Sequence, residues 1–363
     1  MTNPAISPAL LVARQQLARA VSNFSVPPPQ PFDVSPWVAM SALQKAVRRG
    51  NEDVALRAVA TLLARAPESL WRRCGGIAYE DVGLADVDTQ ALVTAALAGK
   101  RFRATVGGEW MVAASIVTRM TRAQKCRAAD DLLMTAELHP DCARARREYA
   151  AIPTADLLRI VAAPGPLLKR AVALLYAVGT GWRTSRHLHP RRGDPRAVFG
   201  MLGQQSVATD LAEIAREGFR KLGEGLCPLV VLLSPLLHAE HTAVEDDAFP
   251  PEMMVDGVPG WAYDIYSREG RTALQAFLQQ PTETASWIRA RIPEGKRVAF
   301  LGGIVFRVEG GLVKGRLRWP TGDALRSLVD FGSHGLDYAD AGKALELMRQ
   351  DIPVLNAVRS DVC

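Results

Sequence analysis

His238-Ala239-Glu240-His241 is the best-spaced metal-ligating pair in this chain, because two histidines three residues apart share one face of a helix and suit zinc or iron. Glu245, Asp246 and Asp247 follow and would supply oxygen ligands to a metal-dependent enzyme. The pattern is not His-Glu-x-x-His, and its acids fall in a stretch that reads as linker. The alternative is a polar helix end running into a solvated loop. His187-Leu188-His189 is a second pair, but Arg183, Arg186, Arg191 and Arg192 flank it, and positive charge opposes a bound cation. Those arginines, with Arg196, suit phosphate instead. Guanidinium forks fit phosphate oxygens, and Trp182 would lie near a base or sugar. A plain solvated basic loop is the other reading of residues 182–196.

Lys314, Arg316 and Arg318 alternate along an expected strand, so they share one face, with Val313, Leu317 and Trp319 on the other. That face is either a basic ribbon on nucleic acid or the wet side of a half-buried strand. Residues 261–271 are dense in aromatic and charged groups. They form either part of a polar pocket or a packed helix start with an Asp264–Arg268 pair. No Gly-x-Ser-x-Gly, Cys/His nucleophile arrangement or paired carboxylates stand out, and no cofactor is implied.

The elements that must position these groups are mostly helices. The chain has 363 residues, 48% hydrophobic and 23% charged, enough for two or three domains. A net charge of +6 permits an acidic partner without requiring one. Cys74, Cys126, Cys142, Cys227 and Cys363 are scattered without a CxxC pair, which fits free thiols in a reducing compartment. The N-terminus lacks the pattern of a secretory signal. The apolar run 226–237 is too short for a membrane span and contains Pro228 and Pro235. A cytoplasmic protein without membrane contact is expected.

Residues 1–34 read as an arm with a short helix and a stiff proline tract at 27–31. Residues 35–138 read as successive helices, the first stopped by Arg48-Arg49-Gly50 and the second capped by Asn51 with acids behind it. Thr121 and Gln124 have capping-box spacing for a helix over 122–134. Residues 139–245 read as a helical middle region carrying the basic loop. Residues 246–363 read as a small α+β part, with a helix over 261–279 and one β-hairpin from 297–308 and 312–319. The fold class is therefore mainly α.

Three stretches have a family likeness. They are Ser41-Ala42-Leu43-Gln44-Lys45-Ala46-Val47-Arg48-Arg49-Gly50-Asn51-Glu52-Asp53, then Leu70-Trp71-Arg72-Arg73, then Ala78-Tyr79-Glu80-Asp81-Val82-Gly83-Leu84-Ala85-Asp86. Arg122-Ala123-Gln124-Lys125-Cys126-Arg127 matches a later part of the pattern. Together, over residues 38–138, they resemble the helical C-terminal part of the replication-associated recombination ATPases, a clamp-loader-like AAA+ family. The resemblance implies a helical collar fold and self-association, in proteins that act at stalled replication forks. The forty residues upstream hold no Gly-x-x-x-x-Gly-Lys-Ser/Thr, so ATP hydrolysis does not carry over. Glu80 and Asp81 end a helix, where the dipole disfavours acids, so a partner from another helix such as Arg48 or Arg49 is expected. The leading functional expectation is a non-catalytic accessory protein of DNA replication, repair or recombination that binds DNA with weak sequence preference and self-associates. Alternatives are a protein–protein scaffold that does not touch DNA, and a metal-dependent enzyme at His238 and His241.

Overall fold

The computed structural model describes residues 6–181, 187–205, 209–332 and 340–362. The N-terminal helices are α1 (Pro8–Ser22), α2 (Pro36–Arg49), α3 (Glu52–Arg65) and α4 (Pro67–Ile77). A π-turn (Ala78–Val82) and a 3-10 turn (Gly83–Ala85) lead to α5 (Val87–Ala96), α6 (Lys100–Thr105), α7 (Gly108–Arg122) and α8 (Ala128–Leu138). The middle holds α9 (Ala143–Tyr149), α10 (Thr154–Ala162), α11 (Leu167–Val178), α12 (Pro195–Gln205), α13 (Thr209–Leu222) and α14 (Leu226–Ala239). The C-terminal part holds α15 (Arg268–Phe277), α16 (Glu283–Arg291), α17 (Arg297–Val305), α18 (Pro320–Gly332) and α19 (Ala341–Val362). Two antiparallel two-stranded sheets complete it: β1 (Ala243–Glu245) with β4 (Arg316–Arg318), and β2 (Met254–Val255) with β3 (Val258–Pro259). The fold is thus mainly α with a small β part. No helix among the described residues is long and apolar enough to cross a membrane.

Local chemistry sets the helix ends. The Ser35 hydroxyl accepts from the Val38 amide, Pro36 starts α2, and Gly50 at φ +69° ends it behind Arg48 and Arg49. The Asn51 side chain then caps α3, and Asp86 caps α5. Leu10, Leu17 and Val21 bury α1 in the main core, so the N-terminal helix is part of the globular body and not a detached arm. The apolar run of α14 is central and packs on α8, α11, α12 and α13. A second core is built by α15, α16, α17 and α19.

Four expectations need correction. The hairpin over 297–319 does not form: Leu301, Ile304, Val305 and Val308 bury at helical spacing, so 297–305 is helix and 306–310 a π-turn. Only Arg316–Arg318 is strand, and its partner is Ala243–Glu245, in the supposed linker. The tight hairpin lies at β2–β3, where Asp256 (φ 49°) and Gly257 (φ 77°) make the left-handed turn that Asp-Gly favours. The helix over 261–279 starts late, because Ser267 caps α15 while Trp261 and Asp264 before it are bonded to Lys45 and Ser41 of α2. Thr121 lies inside α7, its hydroxyl bonded to the Val117 carbonyl, and α8 begins only at Ala128.

Gly83 has φ +53°, and a Cβ there would lie 2.2 Å from the Cys126 carbonyl oxygen. Gly83→Ala should therefore destabilise the protein by more than about 2 kcal/mol in urea unfolding. Gly76→Ala, with open space around it, should be neutral or slightly stabilising. Equal effects of the two would show that the turn is not constrained.

Candidate functional site

The three motif stretches meet at one buried carboxylate. Asp81 has no solvent exposure and sits in the π-turn after α4. Arg48 Nε of α2 donates to Asp81 Oδ1 at 2.7 Å, and its Nη2 donates to Glu80 Oε1 at 2.7 Å. Arg127, just before α8, donates to Asp81, to Glu80 (3.2 Å) and to Asp130. Gln44 donates to Asp81 Oδ2 at 3.0 Å, and Arg73 in turn donates to Gln44 at 3.0 Å. The Cys126 amide donates to the Asp81 and Val82 carbonyls. The partner expected for the acids is thus Arg48, and Arg127 is a second one. Arg72 is exposed and outside the network.

The C-terminal part docks on this cluster. Arg48 Nη1 donates to the Gly310 carbonyl at 2.7 Å, and Arg49 Nη2 donates to that of Glu309 at 3.0 Å. Two cations of α2 therefore cap the end of the 306–310 turn, where carbonyls lack partners. The Phe306 ring lies under both Arg48 and Arg127, at 5.4 and 5.7 Å. Beside it, Lys45 Nζ donates to Ser41 Oγ (2.9 Å), the Trp261 carbonyl (2.6 Å) and Asp264 Oδ2 (2.7 Å). All three ammonium hydrogens are used. Burial pushes the Lys45 pKa down, against the pull of Asp264 and Glu309. Deeper in, Arg359 makes a bidentate pair with Glu309 at 3.1 and 2.8 Å. A cavity of about 30 Å³ lies between Lys45, Asp264, Phe306 and Glu309, room for about one water.

The expected nucleic-acid residues fall elsewhere, and of the six described, three are occupied within the chain and three are exposed. Arg183 and Arg186, with Trp182, lie outside the described residues. Arg191 Nη1 donates to the carbonyls of Tyr149, Ala150 and Ile152, tying its loop to the α9–α10 connection. Arg316 is buried on Asp247, and Arg318 pairs with Glu245 and Asp323. The Lys314–Arg316–Arg318 face is therefore not a free basic ribbon: the β1 partner strand and the turn after it bring carboxylates to it. Arg192, Arg196 and Lys314 are exposed. The histidines do not assemble a metal site. His238 Nδ1 contacts the Ser234 carbonyl, and His241 is exposed. Among the described residues, no three His, Cys, Asp or Glu side chains converge on a metal position. Asp264 bonds Lys45 and not Arg268. Lys45, Arg127, Glu309 and Arg359 gave no sequence signal of burial, since the acids or bases Asp264, Asp81, Arg359 and Glu309 that hold them lie far along the chain.

Comparison with protein-family models, with curated proteins and with solved structures finds no match for this chain.

The network has a charge imbalance. Burial alone would raise Asp81, but Arg48 and Arg127 outweigh it and hold this carboxyl below its ordinary value. Burial pushes Asp130 up to about 8, helped by Glu80, Asp131 and Asp81 and opposed by Arg127. Asp131 rises to about 6 through burial. A folded state that holds a proton the unfolded chain has lost becomes less stable as pH rises between the two values. Stability should therefore fall from about pH 4 toward about pH 8. Asp130→Asn should flatten that slope in urea titrations across the same range; an unchanged slope would place the proton elsewhere. Asp81→Asn removes the buried carboxylate that Arg48 and Arg127 share and should cost about 3–5 kcal/mol at pH 7.

Proposed function

We propose that this chain is an interaction scaffold: a helical module, similar to the collar of clamp-loader-like ATPases, that carries a firmly docked C-terminal helical unit and self-associates. One observation carries the reading. The stretches that give the family likeness converge on Asp81, and the same arginines grip the 306–310 turn of the second core. The charged groups most able to do chemistry are thereby spent on holding one part of the chain to another. Such a network supports a fixed presenting surface better than a reaction centre, where a carboxylate or lysine must be free to exchange a proton. The resemblance sets the scaffold in DNA replication or repair.

A second reading, direct DNA contact, draws support from Arg192, Arg196 and Lys314, which stay exposed. In that case the protein is an accessory factor whose contacts are to phosphate and carry little sequence preference.

Light scattering on the purified chain tests self-association. An oligomer at micromolar concentration is expected, and a strict monomer throughout would reject this part of the reading. Docking is tested by limited proteolysis. Glu309→Gln breaks the pair with Arg359, so cleavage within 306–319 should accelerate while the N-terminal fragment stays resistant. Unchanged cleavage would show that the seam does not depend on this pair.

A further inference from the structure

The chain carries a second basic surface that the family likeness does not mark. It lies where α1, α13 and the α5–α6 turn meet. Lys221 of α13 donates from Nζ to the Ala98 carbonyl at 3.4 Å. Arg14 of α1 lies over the Phe102 ring, its guanidinium carbon 5.0 Å from the ring centre. Lys100 and Arg101 lie between these two contacts in sequence, and both are exposed. Arg14 Nε is buried without a hydrogen-bond partner. Of the carboxylates nearby, Glu217 pairs with Arg220, Glu109 pairs with Arg103, and Glu213 accepts from the Ala9 amide. The crowding is felt at Lys221, whose pKa is lowered by burial and then by Arg220, against the pull of Glu217, with smaller effects of Arg14 and Arg103.

We propose that the face formed by Arg14, Lys100, Arg101 and Lys221 binds the phosphate backbone of nucleic acid. Among the described residues Arg14, Lys100 and Arg101 make no ion pair and Lys221 has only Glu217 nearby, whereas Arg48, Arg127, Arg316 and Arg318 are each neutralised within the chain. Arg14 rests against the Phe102 ring, 5.0 Å from its centre, and that contact lowers the ordering cost of a phosphate contact. A protein partner would ask for an apolar centre. The exposed large apolar residues before Arg14 are Ile6, Leu11 and Val12, a few side chains near the start of α1. Contact to phosphates from four point charges is insensitive to sequence and strongly dependent on salt. This surface goes beyond the scaffold reading and does not depend on it, since it shares no residue with the Asp81 seam.

The test is fluorescence anisotropy with labelled single-stranded and duplex oligonucleotides at two salt concentrations, using the full chain. The variant is Lys100→Glu with Arg101→Glu, both exposed, with circular dichroism and a thermal melt to show that it folds like the parent. The parent should bind both nucleic acids, more weakly at higher salt. The variant should bind at least about tenfold more weakly and flatten the slope of log affinity against log salt by about 2, roughly one for each cation removed. Lys296→Ala with Arg349→Ala, both exposed on the second core, should leave both quantities unchanged. No binding by the parent at low salt would overturn the proposal, as would a folded charge-reversed variant that binds like the parent. Displacement of the labelled DNA by polyglutamate as readily as by unlabelled DNA would overturn it in favour of an acidic protein partner.

Discussion

A carboxylate sealed from water is the constraint around which this fold is arranged. Asp81 has no exposed surface, and an unpaired charge in such a place would cost several kcal/mol. Two guanidiniums remove that cost, one from α2 and one from the segment before α8. Neither is near Asp81 in sequence, so α2, the turn after α4 and the 123–127 segment must be in place together. The turn itself is tight: Gly83 lies against the Cys126 carbonyl with no room for a side chain. Backbone bonds from Cys126 to Asp81 and Val82 then hold the loop on which Arg127 rides.

The second core is attached through the same groups. Arg48 and Arg49 reach the carbonyls at the end of the 306–310 turn, and Lys45 reaches Asp264. Arg49 also lies between the Phe249 and Trp261 rings, at 4.7 and 5.1 Å. An apolar seam would permit many registers, whereas directional bonds to specific carbonyls permit few. A polar seam therefore orients the C-terminal unit more than it glues it. The Asp81 end of this seam has two arginines and three close carboxylates, Glu80, Asp81 and Asp130. Burial, together with that excess of carboxylates, pushes the Asp130 carboxyl up.

Function follows from what this attachment consumes. Ion pairs inside the chain take Arg48, Arg127, Arg316, Arg318 and Arg359 out of play as ligand contacts. A basic run in sequence is thus a poor guide to a basic surface, because strands and turns from elsewhere deliver carboxylates to it. Where no such segment arrives, as at Lys100 and Arg101, the charge stays free.

Much of the fold was legible because helix signals are local. Ser35-Pro36, Arg48-Arg49-Gly50 with Asn51 behind, and the apolar stripe of α3 each act within a turn or two, so residue order alone determined them. The need of Glu80 and Asp81 for a partner was also readable, from the helix dipole. The 297–308 segment shows the limit of such reading: its apolar residues are dense enough to fit either period, and burial of one face against α19 selected helix. The site itself was decided only in three dimensions. Lys45 and Asp264 are 219 residues apart, and Arg48 and Gly310 are 262 apart. Their pairing depends on which surfaces the cores bring together, and a charge carries no mark in sequence of the distant charge that will neutralise it.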